Sequence, residues 1–229
     1  EATELACRRL EATGFPFQVF HGPYSDIAKF IQLAGLPREG AADGVLLDLG
    51  VSSLQLDRPE RGFSFLRSGP LDMRMAPDTG ESAEVFLQRV SRDELARVLR
   101  DYGEEPQARK IARAIDQARR KERLRTTEQL ARVVESVVPR KGKRTHPATR
   151  TFQGIRIAVN RELEHLRRVL RDLDRLVKPG GRVVVLSYHS LEDRLVKGSF
   201  RDGVKQGFFR WKGANPGRAS PADLAENPG

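Results

Sequence analysis

Apolar positions along the chain follow two periods, and the periods separate two kinds of structure. Phe17–Phe20, Val45–Leu49 and Val183–Tyr188 are short runs rich in β-branched and aromatic residues, each bounded by Gly, Pro or Asp. Runs of that kind predict buried strands of a parallel sheet. Tyr24–Leu33, between the first two, predicts a helix, so the chain opens on a strand–helix–strand unit, the signature of α/β architecture. From about Glu81 to Val138 the strand pattern vanishes. Ser91 with Glu94, and Thr126 with Gln129, read as capping boxes at helix starts. The first opens a helix with Leu95, Val98 and Leu99 on one face; the second precedes Leu130, Val133, Val134, Val137 and Val138. Between them Ala108, Ile111, Ala112, Ile115 and Ala118 repeat at helical spacing, with Lys110, Arg113 and Arg120 elsewhere around the helix. Phe152, Ile155, Val159, Leu163, Leu166, Leu170, Leu173 and Val177 then predict one long helix, stopped by Lys178-Pro179-Gly180-Gly181.

Because a strand follows that stop, α/β order resumes, and the helical block reads as an insertion. The expected layout is residues 1–80 as the first part of an α/β domain, 81–145 as an inserted basic all-α domain, and 146–229 as the return, ending in a tail of weak strand or loop from Gly203.

Charge sharpens this picture. The 229 residues carry 41 Lys/Arg against 31 Asp/Glu, a net of +10. Residues 1–87 hold 8 basic against 13 acidic side chains, residues 88–156 hold 19 against 9, and residues 157–229 hold 14 against 9. The excess begins with the helical block and peaks at Arg140–Arg144. One reading is a solvated helix surface; the other is a nucleic-acid footprint, since cations gain by releasing counterions from phosphates. The apolar runs are far shorter than the ~18 residues a membrane span needs, and the charged amphipathic stretch at the start, without an apolar h-region, gives no expectation of a secretory signal. A single cysteine, Cys7, excludes an internal disulfide framework and any zinc site built on two cysteines of this chain. Cys7 is expected to be a small core residue. No metal site is expected, and the compartment is expected to be the reducing cytoplasm.

The most informative stretch is Asp43–Met75. Asp48 stands at the carboxyl end of a strand, where open parallel sheets bind ligands. Its ordinary role would be to cap the following loop through neighbouring amides. About 25 residues without clear period follow, a length that in a compact domain is usually functional or disordered. Phe63, Phe65, Leu66, Leu71, Met73 and Met75 make this one too apolar for disorder, so a folded active-site loop is expected.

The stretch D-G-V-L-L-D-L-G-V-S-S-L-Q-L-D-R-P-E-R-G-F-S-F closely resembles the RsmH (MraW) family. Three further blocks agree. His21-Gly22-Pro23-Tyr24 is similar to the family's H-G-x-F turn. Arg144–Asn160 is similar to its H-P-A-T-R-T-F-Q-A-I-R-I-x-V-N block, and Pro179–Lys197 to its P-G-G-R…S-F-H-S-L-E-D-R-x-V-K segment. The resemblance covers nearly the whole chain. It implies a Rossmann-like S-adenosylmethionine-dependent methyltransferase sheet, with an inserted all-α domain, that methylates the exocyclic N4 of a cytidine in small-subunit ribosomal RNA. The family's usual start, a strand with a D-A-T-L-G-G-G-G-H loop and a second strand ending in an acidic turn, is not among these residues, and Glu1–Thr13 looks like the helix after it. The family's basic close past the E-x-x-x-N-P element is not among them either. The sheet is therefore expected to be incomplete at the N-terminus, and an incompetent fragment or RNA-binding remnant stands as the alternative. A different cofactor-dependent α/β enzyme is a third reading, against which D-L-G-V-S-S and S-Y-H-S-L-E-D-R argue.

Position by position, the resemblance implies cofactor contacts at Tyr24 (Phe in the family), Asp48 and Gln55. It implies hydrogen-bond acceptors for the cytosine amine at Asp48 and along Leu49–Ser53, with Ser52 and Ser53. His189 is either a receiver of the released proton or part of a capping turn in which Ser190 reaches Asp193. Phe63, Phe65 and Tyr188 are candidates for an aromatic clamp, or core. Lys141, Lys143, Arg144, His146, Arg150 and Arg156, with Asn160, line the expected RNA side, although Arg150 and Arg156 could instead brace their own helix. Ribosomal RNA or the small ribosomal subunit is the expected partner, with no membrane; a homodimer is also carried.

Overall fold

The computed structural model describes residues 2–138 and 146–211. It is mixed α/β, with a small parallel sheet and many helices. Strand β1 (Ala42–Asp48) pairs with β2 (Val177–Leu186) in the register Val45↔Val183, Leu46↔Val184, Leu47↔Val185 and Asp48↔Leu186. Their partnership across so much intervening sequence depends on branched residues on both strands. One face, with Val45 and Leu47, is buried against Leu166, Val169, Leu170 and Leu173 of the helix before β2 and Val196 of the helix after it. The other face carries Leu46, Val184 and Leu186, each roughly half exposed or more.

Phe17–Phe20 does not form the expected strand. Strands are closed by inter-strand hydrogen bonds, and among the described residues β1 pairs with β2 alone. The segment has no ladder, and Phe20 instead stacks on Phe30, ring centroids 5.3 Å apart. Before it, helix α1 (Ala2–Glu11) buries none of its residues, so Cys7 is not a core residue. The expected helix at Tyr24–Leu33 divides into a 3-10 turn, Tyr24–Asp26, and α2 (Ile27–Leu33).

After β1 comes the short α3 (Ser53–Asp57), then a loop that folds onto a helical layer of α4 (Ala83–Arg89), α5 (Arg92–Asp101), α6 (Ala108–Lys121) and α7 (Thr127–Val137). Both capping signals mark helix starts, but only one is a full box: Ser91 accepts from the Glu94 amide as a one-way cap, whereas Thr126 with Gln129 forms the reciprocal box. Arg119 of α6 donates to the carbonyls of Leu87 and Val90, closing the end of α4, while Asp116 holds its guanidinium at 2.7 Å. Leu71 and Met73 of the loop, Leu95, Leu99, Ile111, Ile115 and Leu130 of the layer, and Phe152 and Ile155 beyond it share one core.

The long helix expected through Val177 is two helices, α8 (Thr149–Asn160) and α9 (Glu162–Leu176), broken at Arg161 with φ of +51°. A left-handed non-glycine residue costs about 1–2 kcal/mol. Long-range hydrogen bonds offset it here. The Asn160 amide donates to the carbonyls of Met73 (2.7 Å) and Arg156 (2.9 Å), and its oxygen accepts from the Met75 amide at 2.7 Å. Apolar periodicity runs straight through this corner because both helices keep one apolar face. Beyond β2, α10 spans Ser190–Lys205, so Gly203, expected in a tail of strand or loop, lies within a helix with the Phe209 ring packed against it. No helix among the described residues is long and apolar enough to cross a membrane.

Candidate active site at the strand ends

Both strands deliver their last residues to one edge of the sheet. Asp48 ends β1 with an exposed carboxylate, and the turn behind it passes through Gly50 at φ +86°. Two residues past β2, the Tyr188 ring lies over that turn: a Cβ on Gly50 would stand 3.4 Å from it. Its hydroxyl donates to Asp48 at 2.8 Å. That bond, more than burial, raises the phenol above its ordinary pKa. The ring itself is 68% exposed. Of the three aromatic candidates, Tyr188 alone presents a face in this crevice. Phe63 is buried in the helical core, and Phe65 packs on Phe152 and His146.

Behind Tyr188 lies a buried charge network that the sequence reading missed. Glu162, 6% exposed, accepts both donors of Arg156 at 2.8 and 2.9 Å. Burial still pushes its carboxyl above the ordinary range, against the pull of Arg156. Glu192 is also buried, but its neighbours oppose the burial: the adjacent His189 ring, the Tyr188 amide donating at 3.1 Å and the charge of Arg156 together hold its carboxyl low. His189 is the N-cap of α10, its Nδ1 accepting from the Glu192 amide at 3.4 Å. The cap is therefore His189 and not Ser190, whose hydroxyl instead donates to Glu104 of the helical layer. His189 Nε2 is sealed from solvent, 3.2 Å from Glu192 Oε1 but off the direction of a hydrogen bond. Ligand atoms of Glu162, His189 and Glu192 lie within 4.8 Å of one another. The spacing would admit a cation, but Arg156 already engages both Glu162 oxygens, so the chain balances this cluster internally. The available signal was Glu162 itself, an acid two residues past the Arg156-x-x-x-Asn160 run and buried.

The other expected residues are placed as follows. Tyr24 is half-buried with its hydroxyl donating to the Glu162 carbonyl at 3.2 Å and its ring edge-on to His165; burial, then Glu162 and Glu192, raise its phenol. Ser52 is the N-cap of α3, and Gln55 Oε1 accepts from its amide at 2.9 Å. Ser52 and Ser53 are exposed at the mouth of the crevice side of β1. His146 is wedged between Phe65 and Glu135, with Nε2 2.9 Å from that carboxylate. Arg150 donates to the Glu104 carbonyl at 3.1 Å, bracing the turn between α5 and α6 to α8. Lys141, Lys143 and Arg144 lie outside the described residues.

The chain matches the model of the MraW methylase family over residues 1–210. It belongs to that family. Among its relatives, a protein of Methylococcus capsulatus named ribosomal RNA small subunit methyltransferase H is 54% identical over 189 residues, covering 82% of this chain and 62% of the relative. One of Thioalkalivibrio sulfidiphilus with the same name is 58% identical over 163 residues, covering 71% of this chain and 52% of the relative. The chain thus spans between half and two thirds of the length of these family members. For the family's fold, the structure supplies the parallel pair β1–β2 and the crevice at its carboxyl end.

Proposed function

We propose that this chain carries out S-adenosylmethionine-dependent methylation of the exocyclic N4 of a cytidine in small-subunit ribosomal RNA. The observation that carries the reading is the joint placement of Asp48 and Tyr188 beyond the ends of two parallel strands, the position where open α/β sheets bind ligands. Family membership supports it, as do the relatives' names. The residues at the crevice fit such a cofactor: Asp48 offers an open carboxylate to hydroxyl or amino donors, Gly50 leaves its backbone bare, and Tyr188 offers an aromatic face. Tyr24 and Gln55 stand as further contacts. When bound, the cofactor supplies a methyl group activated on a sulfonium.

The protein's own task is then positional. Cytosine N4 is a poor nucleophile because its lone pair is delocalised into the ring. Acceptors at Asp48 and the Leu49–Ser53 segment would hold the amine hydrogens and turn nitrogen density outward. Tyr188 would orient the base or the cofactor by stacking. His189, sealed behind Glu192, acts by positioning Tyr188 through the α10 cap. The helical layer of α4 to α7 would act as the RNA-facing insertion, with cytoplasmic ribosomal RNA as the substrate.

The test is to incubate the full chain with isotopically labelled cofactor and unmethylated small-subunit ribosomal RNA, then digest and identify nucleosides by mass spectrometry. Labelled N4-methylcytidine is expected, and Asp48→Ala should abolish both it and calorimetric cofactor binding. Label on another nucleoside, or full cofactor affinity in Asp48→Ala, would overturn the assignment.

A further inference from the structure

On the helical layer, away from the crevice, α5 and α6 enclose an open groove of about 690 Å³. Its walls carry Arg92, Arg97 and Arg100 from α5 and Arg109, Lys110 and Arg113 from α6, all exposed. The one acid on the walls, Asp93, sits 3.3 Å from Arg92, and Arg100 is paired with Asp101 at 2.8 Å. Arg97, Arg109, Lys110 and Arg113 have no ion-pair partner among the described residues. Two of these four stand in the first turn of α6, where the helix dipole disfavours cations. That turn has no acidic residue, and no side chain caps it. Four unpaired cations facing one concavity, two of them against a dipole, lower the stability of the free protein. A bound polyanion reverses the sign of each of those terms.

We propose that the α5–α6 groove is a binding site for the phosphate backbone of structured RNA. The positions favour phosphates over a protein partner. From Arg92 to Arg100 the rise along α5 is about 12 Å at 1.5 Å per residue, enough to meet successive phosphates. Guanidinium forks match phosphate oxygens. The lining includes no aromatic and no large apolar anchor of the kind protein interfaces use. Without a stacking ring the groove reads backbone and not base, so it positions the RNA without selecting its sequence. Naming RNA as the polyanion rests on the function proposed above; the electrostatic site does not.

The test uses the full chain and a fluorescein-labelled RNA hairpin of arbitrary sequence, with affinity measured by anisotropy across a potassium chloride series. The variant is Arg97→Gln, Arg109→Gln, Lys110→Gln and Arg113→Gln together. Each lost phosphate contact removes about 0.9 from the slope of log affinity on log salt. The variant should therefore bind at least about tenfold more weakly in 0.1 M salt, with a slope shallower by up to about 3.6. S-adenosylmethionine affinity should not change. Arg97→Lys, Arg109→Lys and Arg113→Lys together keep the charge and should keep most of the slope; if the Gln variant melts early, the pairs Arg97→Gln/Arg113→Gln and Arg109→Gln/Lys110→Gln become the readout, each expected to make the slope shallower by up to about 1.8, and an unchanged slope in both overturns the site. An unchanged slope in the Gln variant overturns the site. Tighter binding of polyglutamate than of RNA also overturns it, in favour of an acidic protein. Groove-dependent RNA binding in a chain that transfers no methyl group leaves the site standing and removes the proposed function.

Discussion

Replacing Arg156 by Met isolates the energetics of the buried network. The two bonds from Arg156 to Glu162 are short and parallel, and both side chains are largely withdrawn from solvent, at 17% and 6% exposure. Removing one partner of such a pair leaves an uncompensated buried charge and costs about 3–5 kcal/mol. For a protein of this size that is on the order of a 10 °C fall in Tm. The loss should depend on pH. Glu162 is already pushed above the ordinary carboxylate range by burial, with Arg156 opposing. Without Arg156 the push is unopposed, and Glu192, whose carboxylate faces the same space along with the His189 ring, also loses a favourable charge. A native group with a raised pKa binds protons more readily than its unfolded counterpart, so its stabilising contribution is present in acid and is lost as pH rises through the raised value. The gap between Arg156→Met and the unaltered chain should therefore be widest near pH 8 and narrow near pH 5. Other carboxylates titrate in both proteins and cancel. Urea unfolding at the two pH values measures the gap directly. The double variant Arg156→Met/Glu162→Leu, which buries no charge, should recover most of the loss. An equal gap at both pH values, or a double variant as unstable as the single, would refute the account.

Substitutions at four more positions probe other parts of the structure. Asn160→Ala removes three hydrogen bonds, two of which hold the loop at Met73 and Met75 and one of which reaches the Arg156 carbonyl, and should cost about 2–3 kcal/mol; faster amide exchange at Met75 is the local readout. Gly154→Ala and Gly198→Ala should move stability in opposite directions. A Cβ at Gly154 meets backbone of Gly103 at 3.0 Å, so overpacking of about 1–3 kcal/mol outweighs helix propensity. Nothing lies within 4 Å of a Cβ at Gly198, leaving the propensity gain of up to about 1 kcal/mol in urea titrations. Tyr188→Phe breaks the bond to Asp48 but keeps the ring, whereas Tyr188→Ala removes both. If stacking is what Tyr188 provides, calorimetry or turnover should show a small loss for Phe and at least about tenfold for Ala, and equal losses would assign the role to the hydroxyl.

Local signals were legible in the chain wherever the physics is local. Thr126 and Gln129 satisfy each other's backbone within one turn, and Val45–Leu49 and Val183–Leu186 carry the branched residues that a two-strand ladder wants. Asp48 was readable as a strand-end carboxylate. What failed depends on partners far away in sequence. Phe17–Phe20 has a strand's composition but no ladder partner among the described residues. Asn160 could declare a helix break only through Met73 and Met75, more than eighty residues earlier. Ser190 looked like a better cap than His189, until Glu104 took its hydroxyl. The pairing of Arg156 with Glu162 left no periodic trace.

The break at Arg161 also partitions the interior. Phe152 and Ile155 of α8 belong to the helical core, whereas Leu166, Val169 and Leu173 of α9 belong to the sheet core, and the small cluster of Ile157, Leu163 and Leu191 sits between them. A helix running straight through would have welded both interiors into one lattice. The corner instead insulates them: substitutions with no shared neighbours contribute independently to stability. Either interior can then accumulate sequence change without forcing compensation in the other. The constraint concentrates on the few residues of the joint, Asn160, Arg161 and Glu162.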